Sequence, residues 1–177
     1  MKILFFLFTA LSLFAIDTSE FTARFQAKDY LEACKNGSTL MAKGLRDEKI
    51  LSLIGYACMQ ADYTNTLAIL QNRLRRSKAA RENSTIFSSL VLQKRLIYQF
   101  LLDGVDISTL YLPVAEHPLS FAFVAIRDKA FERIGDKIVF TRDKKRYEVY
   151  IDDNDVRHRL AIDEFDAAGG VKEHRYR

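Results

Sequence analysis

The stretch Lys137-Ile138-Val139-Phe140-Thr141-Arg142, then Asp143-Lys144-Lys145, then Arg146-Tyr147-Glu148-Val149-Tyr150-Ile151 decides the fold class. Both outer runs are rich in β-branched and aromatic residues, and the charged triplet between them reads as a turn, so the unit is a hairpin. Tyr147 and Tyr150 are an odd number of residues apart and point to opposite faces of it. Downstream, Asp152-Asp153-Asn154-Asp155 forms a second turn and Val156 to Ile162 a third strand. From Ala167-Ala168-Gly169-Gly170 onward the chain reads as a tail. An isolated hairpin is marginal in water, so this piece is expected to pack on a helix upstream.

Upstream, the apolar residues change to helical spacing. Pro113 and Pro118 mark a boundary over residues 112–118. Pro118 suits the first turn of a sixth helix, read as running to Ile134 and closed by Gly135. Before the boundary, Ser84 is read as the cap of a long fifth helix, Thr85 to Asp103, ended by Gly104. Its wide apolar face (Phe87, Leu90, Ile97 and others) places it in the core. Four shorter helices precede it: from Ser19 to about Ala27, Asp29 to Lys43, Glu48 to Ala61 capped by Asp47, and Thr64 to Arg76. Asn36-Gly37-Ser38 is a weak spot in the second. The expected fold is α+β, an array of helical hairpins over 16–111 followed by a helix and a small antiparallel β-hairpin or meander over 119–177.

The N-terminus gives a location. Lys2 is followed by the apolar run Ile3 to Phe14, then Ala15, then the polar Asp17-Thr18-Ser19-Glu20. That order is how a cleavable secretory leader over 1–15 reads, and the run is shorter than the roughly 20 residues that span a bilayer. The expected location is periplasmic or secreted. The competing readings are an uncleaved anchor, since Leu13 fits the cleavage rule poorly, and a buried N-terminal helix.

The two cysteines, Cys34 and Cys58, lie twelve residues before and twelve after Arg46, the centre of the turn between helices two and three. Positions equidistant from the turn of an antiparallel pair sit at the same height. In an oxidising compartment the expected state is a Cys34–Cys58 disulfide. The alternative is two buried free thiols.

Residues 73–81 carry Arg73, Arg75, Arg76, Lys78 and Arg81, the densest charge run in the chain. Read plainly, it is the solvated C-terminal end of a helix, where cations suit the dipole. Read functionally, it is a docking patch for an acidic partner or an anionic surface. Nucleic acid is not expected, because no aromatics interleave with the charges and the net charge is only +4.

Gln26-Ala27-Lys28-Asp29-Tyr30 recurs as Gln60-Ala61-Asp62-Tyr63, with the Asp-Tyr pairs 33 residues apart. Over about residues 19–76 this resembles the tetratricopeptide-type repeat, a helix pair of 34 residues. Ile54-Gly55 looks like that family's Leu-Gly step, and Leu67 falls near its alanine. The chain has no Trp and no closing Pro there. The resemblance implies a concave surface that binds a peptide or protein segment, and no chemistry.

No catalytic motif emerges. There is no Gly-rich phosphate loop and no Gly-x-Ser-x-Gly elbow. His117, His158 and His174 lack zinc-site spacing; His117 reads as a cap or an exposed residue, and His174 as part of the tail. The acidic turn at 152–155 lacks the glycine and distant glutamate of a calcium loop. No metal and no cofactor are expected. The function expected from the sequence is that of an exported, non-enzymatic binding or scaffold protein with a protein or peptide partner. The alternatives are an envelope enzyme with a site between helices and hairpin, and a membrane-anchored accessory subunit of an envelope complex.

Overall fold

The structure, a computed structural model, describes residues 16–154 and 158–176. The leader expected over residues 1–15 lies outside them. Among the described residues, six helices precede a five-stranded antiparallel sheet, so the chain is α+β. The helices are α1 (Ser19–Gln26), α2 (Tyr30–Ala42), α3 (Glu48–Gln60), α4 (Thr64–Leu70), α5 (Lys78–Asp103) and α6 (Pro118–Arg127). The strands are β1 (Glu132–Ile134), β2 (Lys137–Arg142), β3 (Lys145–Asp152), β4 (Arg159–Phe165) and β5 (Val171–Arg175), each pairing with the next.

The helical hairpin of α2 and α3 forms as its sequence directs. Asp29 and Asp47 cap the two helices, Asp47 Oδ1 accepting from Lys49 N and Ile50 N at 2.8 and 3.2 Å. The weak spot at Gly37 does not break α2, because the bare backbone is what the packing needs. The Ile54 side chain lies where a Cβ on Gly37 would stand, and the Phe87 ring of α5 lies where a Cβ on Gly55 would stand. Two glycines thus let α2, α3 and α5 approach closely, at a helix-propensity cost of about 1 kcal/mol each. Cys34 and Cys58 meet across this interface in a disulfide, their Cα atoms 4.7 Å apart and both residues fully buried. The two Asp-Tyr pairs take different places in their turns. Asp29 is the cap of α2, whereas Asp62 sits one position earlier relative to α4, at φ +62°.

Several elements differ from the sequence reading: α4 ends at Leu70 and not at Arg76, the third of the strands read there runs Arg159–Phe165, and three further differences are larger. α5 starts at Lys78, seven residues before Thr85, with Ser77 Oγ accepting from Ala80 N at 3.1 Å. Ser84 lies within the helix, and its hydroxyl donates back to Gln71 O at 2.8 Å. α6 ends at Arg127, because Gly135-Asp136 is a hairpin turn joining β1 to β2 and not a helix stop. The supposed tail is β5, closed onto β4 through a turn in which Asp166 Oδ1 accepts from Ala168 N and Gly170 N. The β2–β3 turn is Asp143-Lys144, both at positive φ, the backbone that a two-residue hairpin requires.

One face of the sheet packs on α5 and α6. Its cross-strand rows are Ile138-Val149-Ile162-His174 and Phe140-Tyr147-Glu164-Lys172. The outer face carries ion pairs: Glu148 holds Lys137 and Arg146 at 2.6 and 2.7 Å, and Asp163 holds Arg175 at 2.7 Å. Tyr147 is buried inside and Tyr150 stands outside, its hydroxyl donating to Asp163 Oδ2 at 2.8 Å. The Pro-containing segment at 112–118 is tied to α5. Buried Gln93 donates to Pro113 O at 2.9 Å and accepts from Ser120 Oγ at 2.7 Å. Among the described residues, no helix is long and apolar enough to cross a membrane.

Candidate functional site

The basic run does not end a helix. It forms the turn from α4 into α5, and that reverses its electrostatics. Lys78 and Arg81 now stand in the first turn of a helix, the end that disfavours cations. Glu48, from the first turn of α3, offsets them. Its carboxylate accepts from Arg75 N and Arg76 N at 2.7 Å and from Ser77 N at 3.0 Å. The N–H groups of Arg76, Ser77 and Arg75 hold this carboxyl down at about 2. Arg81 donates to the carbonyls of Arg75 and Arg76, at 3.2 and 2.7 Å, and so braces the turn from behind.

Beside Glu48 opens a cleft of about 490 Å³, bounded by the end of α2, the α2–α3 turn and the α4–α5 turn. Arg46, Arg73 and Arg76 line it, with Met41, Leu45 and Leu51 as its apolar wall. Arg73 is positioned by a 3.2 Å bond to Met41 O. Of the five basic residues singled out in sequence, Arg73 and Arg76 therefore face one cleft. Arg75, Lys78 and Arg81 lie outside its lining, and Lys78 pairs with Glu82 at 3.8 Å on the open surface. Arg46 joins them unforeseen, brought in by the α2–α3 turn.

A second cluster lies between the helices and the sheet. His174 of β5 is buried on the inner face, its Nδ1 at 3.0 Å from Asp62 Oδ1. A carboxylate only accepts, so Nδ1 carries the proton. Asp62 also accepts from Arg175 N at 3.3 Å, which ties β5 to the α3–α4 turn. Glu164 Oε2 stands 4.0 Å from His174 Nε2, and its Oε1 takes Lys145 Nζ at 2.6 Å. Tyr176 is buried next to His174, and burial, with Asp62 and Glu164 nearby, pushes its phenol well up. The sequence reading missed this cluster by taking 167 onward as a tail. The signal was there: Gly169-Gly170 is a turn, and Lys172, His174 and Tyr176 alternate after it with strand period.

His117 is the cap of α6 and is buried, not exposed, with Nδ1 accepting from Leu119 N at 3.2 Å and Nε2 facing Met59 O at 3.3 Å. Burial pushes its pKa down to about 4, so it stays neutral. The unfolded chain gains a proton near pH 6.5 that the folded chain refuses until about pH 4. Stability is therefore expected to fall as pH drops through that window. The thermal midpoint of His117→Asn, which keeps a capping acceptor, should fall less steeply than wild type between pH 6.5 and 4. Parallel curves for the two proteins contradict this.

His158 is exposed and pairs with Asp153 at 2.9 Å. Among the described residues, no group of three or more His, Cys, Asp or Glu is placed to hold a metal ion. No protein-family model, no curated protein and no solved structure matches the chain.

Proposed function

We propose that this is an exported, non-enzymatic binding protein that holds an acidic segment of a protein or peptide partner in the cleft of Arg46, Arg73 and Arg76. The observation that carries the reading is the convergence of Arg46, Arg73 and Arg76 on one cleft with an apolar wall. Glu48 fills the backbone N–H seat of the α4–α5 turn itself and so fixes the turn that presents Arg76. The guanidinium groups supply the forked donors that carboxylates take in pairs. The apolar wall gives a peptide surface to bury. Export is supported by the leader-like residues 1–15 and by the Cys34–Cys58 disulfide, which belongs to an oxidising compartment.

The test is a titration with a synthetic acidic decapeptide of alternating Asp and Leu. Arg73→Glu combined with Arg76→Glu should weaken its binding about tenfold or more, given roughly 1.5–3 kcal/mol for a hydrogen bond to a charged group. Lys78→Glu, outside the lining, should change it little. Equal loss in both variants means diffuse charge attraction and overturns the cleft reading.

A further inference from the structure

Lys94, in the middle of α5, is half-buried where that helix passes the start of β4. One of its three N–H groups goes to Thr64 Oγ1 at 2.9 Å. Among the described residues, no carboxylate pairs with it. Lys137 and Lys145 of the sheet, by contrast, each hold a carboxylate at 2.6 Å. The charges that act on Lys94 are those of Arg95 and Arg159, and both are positive. Burial, and then these two neighbours, push its pKa down. A half-buried cation among cations weakens the fold unless a negative group joins it.

Lys94 opens on a cavity of about 280 Å³ bounded by the starts of α4 and β4 and by α5. Arg159 lines it as a second cation, and Tyr98 and Leu160 form an apolar wall. The Tyr98 hydroxyl donates to His158 O at 2.8 Å, which fixes the ring and holds the approach to β4 against α5. The His158 ring at the rim is engaged with Asp153 at 2.9 Å. Among the described residues, no Asp or Glu lines the cavity, and it shares no lining residue with the basic cleft.

This composition selects an occupant. Water can take hydrogen bonds here, but it cannot neutralise an ammonium in a positive field. A cationic ligand is repelled. A carboxylate brings one negative charge and two oxygens, which match the charge of Lys94 and the two N–H groups that Thr64 leaves over, in bonds strengthened by charge. Inorganic phosphate also brings charge, but it leaves Tyr98 and Leu160 uncovered, and a short alkyl chain covers them. We propose that this cavity binds a small monocarboxylic acid, with its carboxylate held by Lys94 beside Arg159 and its alkyl body against Tyr98 and Leu160.

The experiment uses the full chain with its disulfide intact and follows the ¹³Cε resonance of Lys94. Sodium butyrate at pH 7 should shift it saturably. Butyramide, of the same shape and without charge, should not, and sodium phosphate at matched ionic strength should bind about tenfold more weakly. In saturating butyrate the titration midpoint of Lys94 should move up, because a bound anion favours the charged ammonium. Binding should then weaken as pH rises through that midpoint. A bridging water leaves the midpoint where it is. Lys94→Met keeps the length of the side chain and should weaken butyrate binding about tenfold, read from the Leu160 amide. The wild-type midpoint needs no variant, so the test stays decisive even if Lys94→Met folds poorly. Arg73→Glu with Arg76→Glu should leave the Lys94 response unchanged, so failure here is distinct from failure of the basic cleft. No saturable shift, an equal response to butyramide or phosphate, or an unmoved midpoint overturns the proposal.

Discussion

Tyr176→Ala should destabilise the protein by about 3–5 kcal/mol, the usual range for removing a buried aromatic ring. Tyr176 is 1% exposed and is among the largest fully buried side chains. Its ring lies against His174 and within 5.9 Å of the His117 ring. Its amide donates to Leu160 O at 3.1 Å, so the residue also anchors the end of β5 to β4. Tyr176→Phe should behave differently. The hydroxyl has no partner, so its removal takes a desolvated polar atom out of the core and should leave stability within about 1 kcal/mol of wild type, or raise it. Urea unfolding of both variants measures the contrast. A loss below about 1 kcal/mol for Tyr176→Ala means that β5 does not seal the core.

Replacing Cys34 and Cys58 together by Ala should cost about 3 kcal/mol. The bond closes a loop of sequence separation 24, and restricting such a loop in the unfolded chain is worth about that much on the chain-entropy model. For a domain of this size the thermal midpoint should fall by roughly 6–12 °C. Alanine is the right replacement because both positions are fully buried and a serine hydroxyl there has no partner to meet. Burial also predicts that reductant alone acts slowly on the folded protein, and quickly once denaturant opens it. Intact mass after alkylation under the two conditions reports this. Rapid alkylation of the native protein contradicts a bond inside the α2–α3 interface.

The α+β class was legible because helical period runs up to the Gly135 region and strand period begins at Lys137. The cysteine pairing was legible from symmetry about one turn, since a helical hairpin turns equal sequence distance into equal height. The start of α5 was not. Ser77 and Ser84 are equally good caps in isolation, and Glu48, 29 residues from Ser77, decides between them by taking the free N–H groups. The end of α6 was misread for a similar reason. Gly135 stops a helix or makes a hairpin equally well, and the pairing of Ile134 with Lys137 makes it a hairpin. Of the basic run, sequence showed the charge but not its direction. Arg73 and Arg76 face the cleft and Arg81 faces its own backbone because of where the helix begins. His174 was hidden because its partner Asp62 lies 112 residues away, beyond the reach of any local pattern.

That long-range tie also orders events in time. The α2–α3 hairpin closes over a short loop, whereas β5 can dock on the Asp62 turn only after the chain between them has been made and folded. Bringing together segments so far apart is entropically slow, so docking of β5 belongs to the late stage of assembly. Until then the edge of β4 stands without the partner strand that closes it, which makes the β4 edge the exposed strand of the late intermediate.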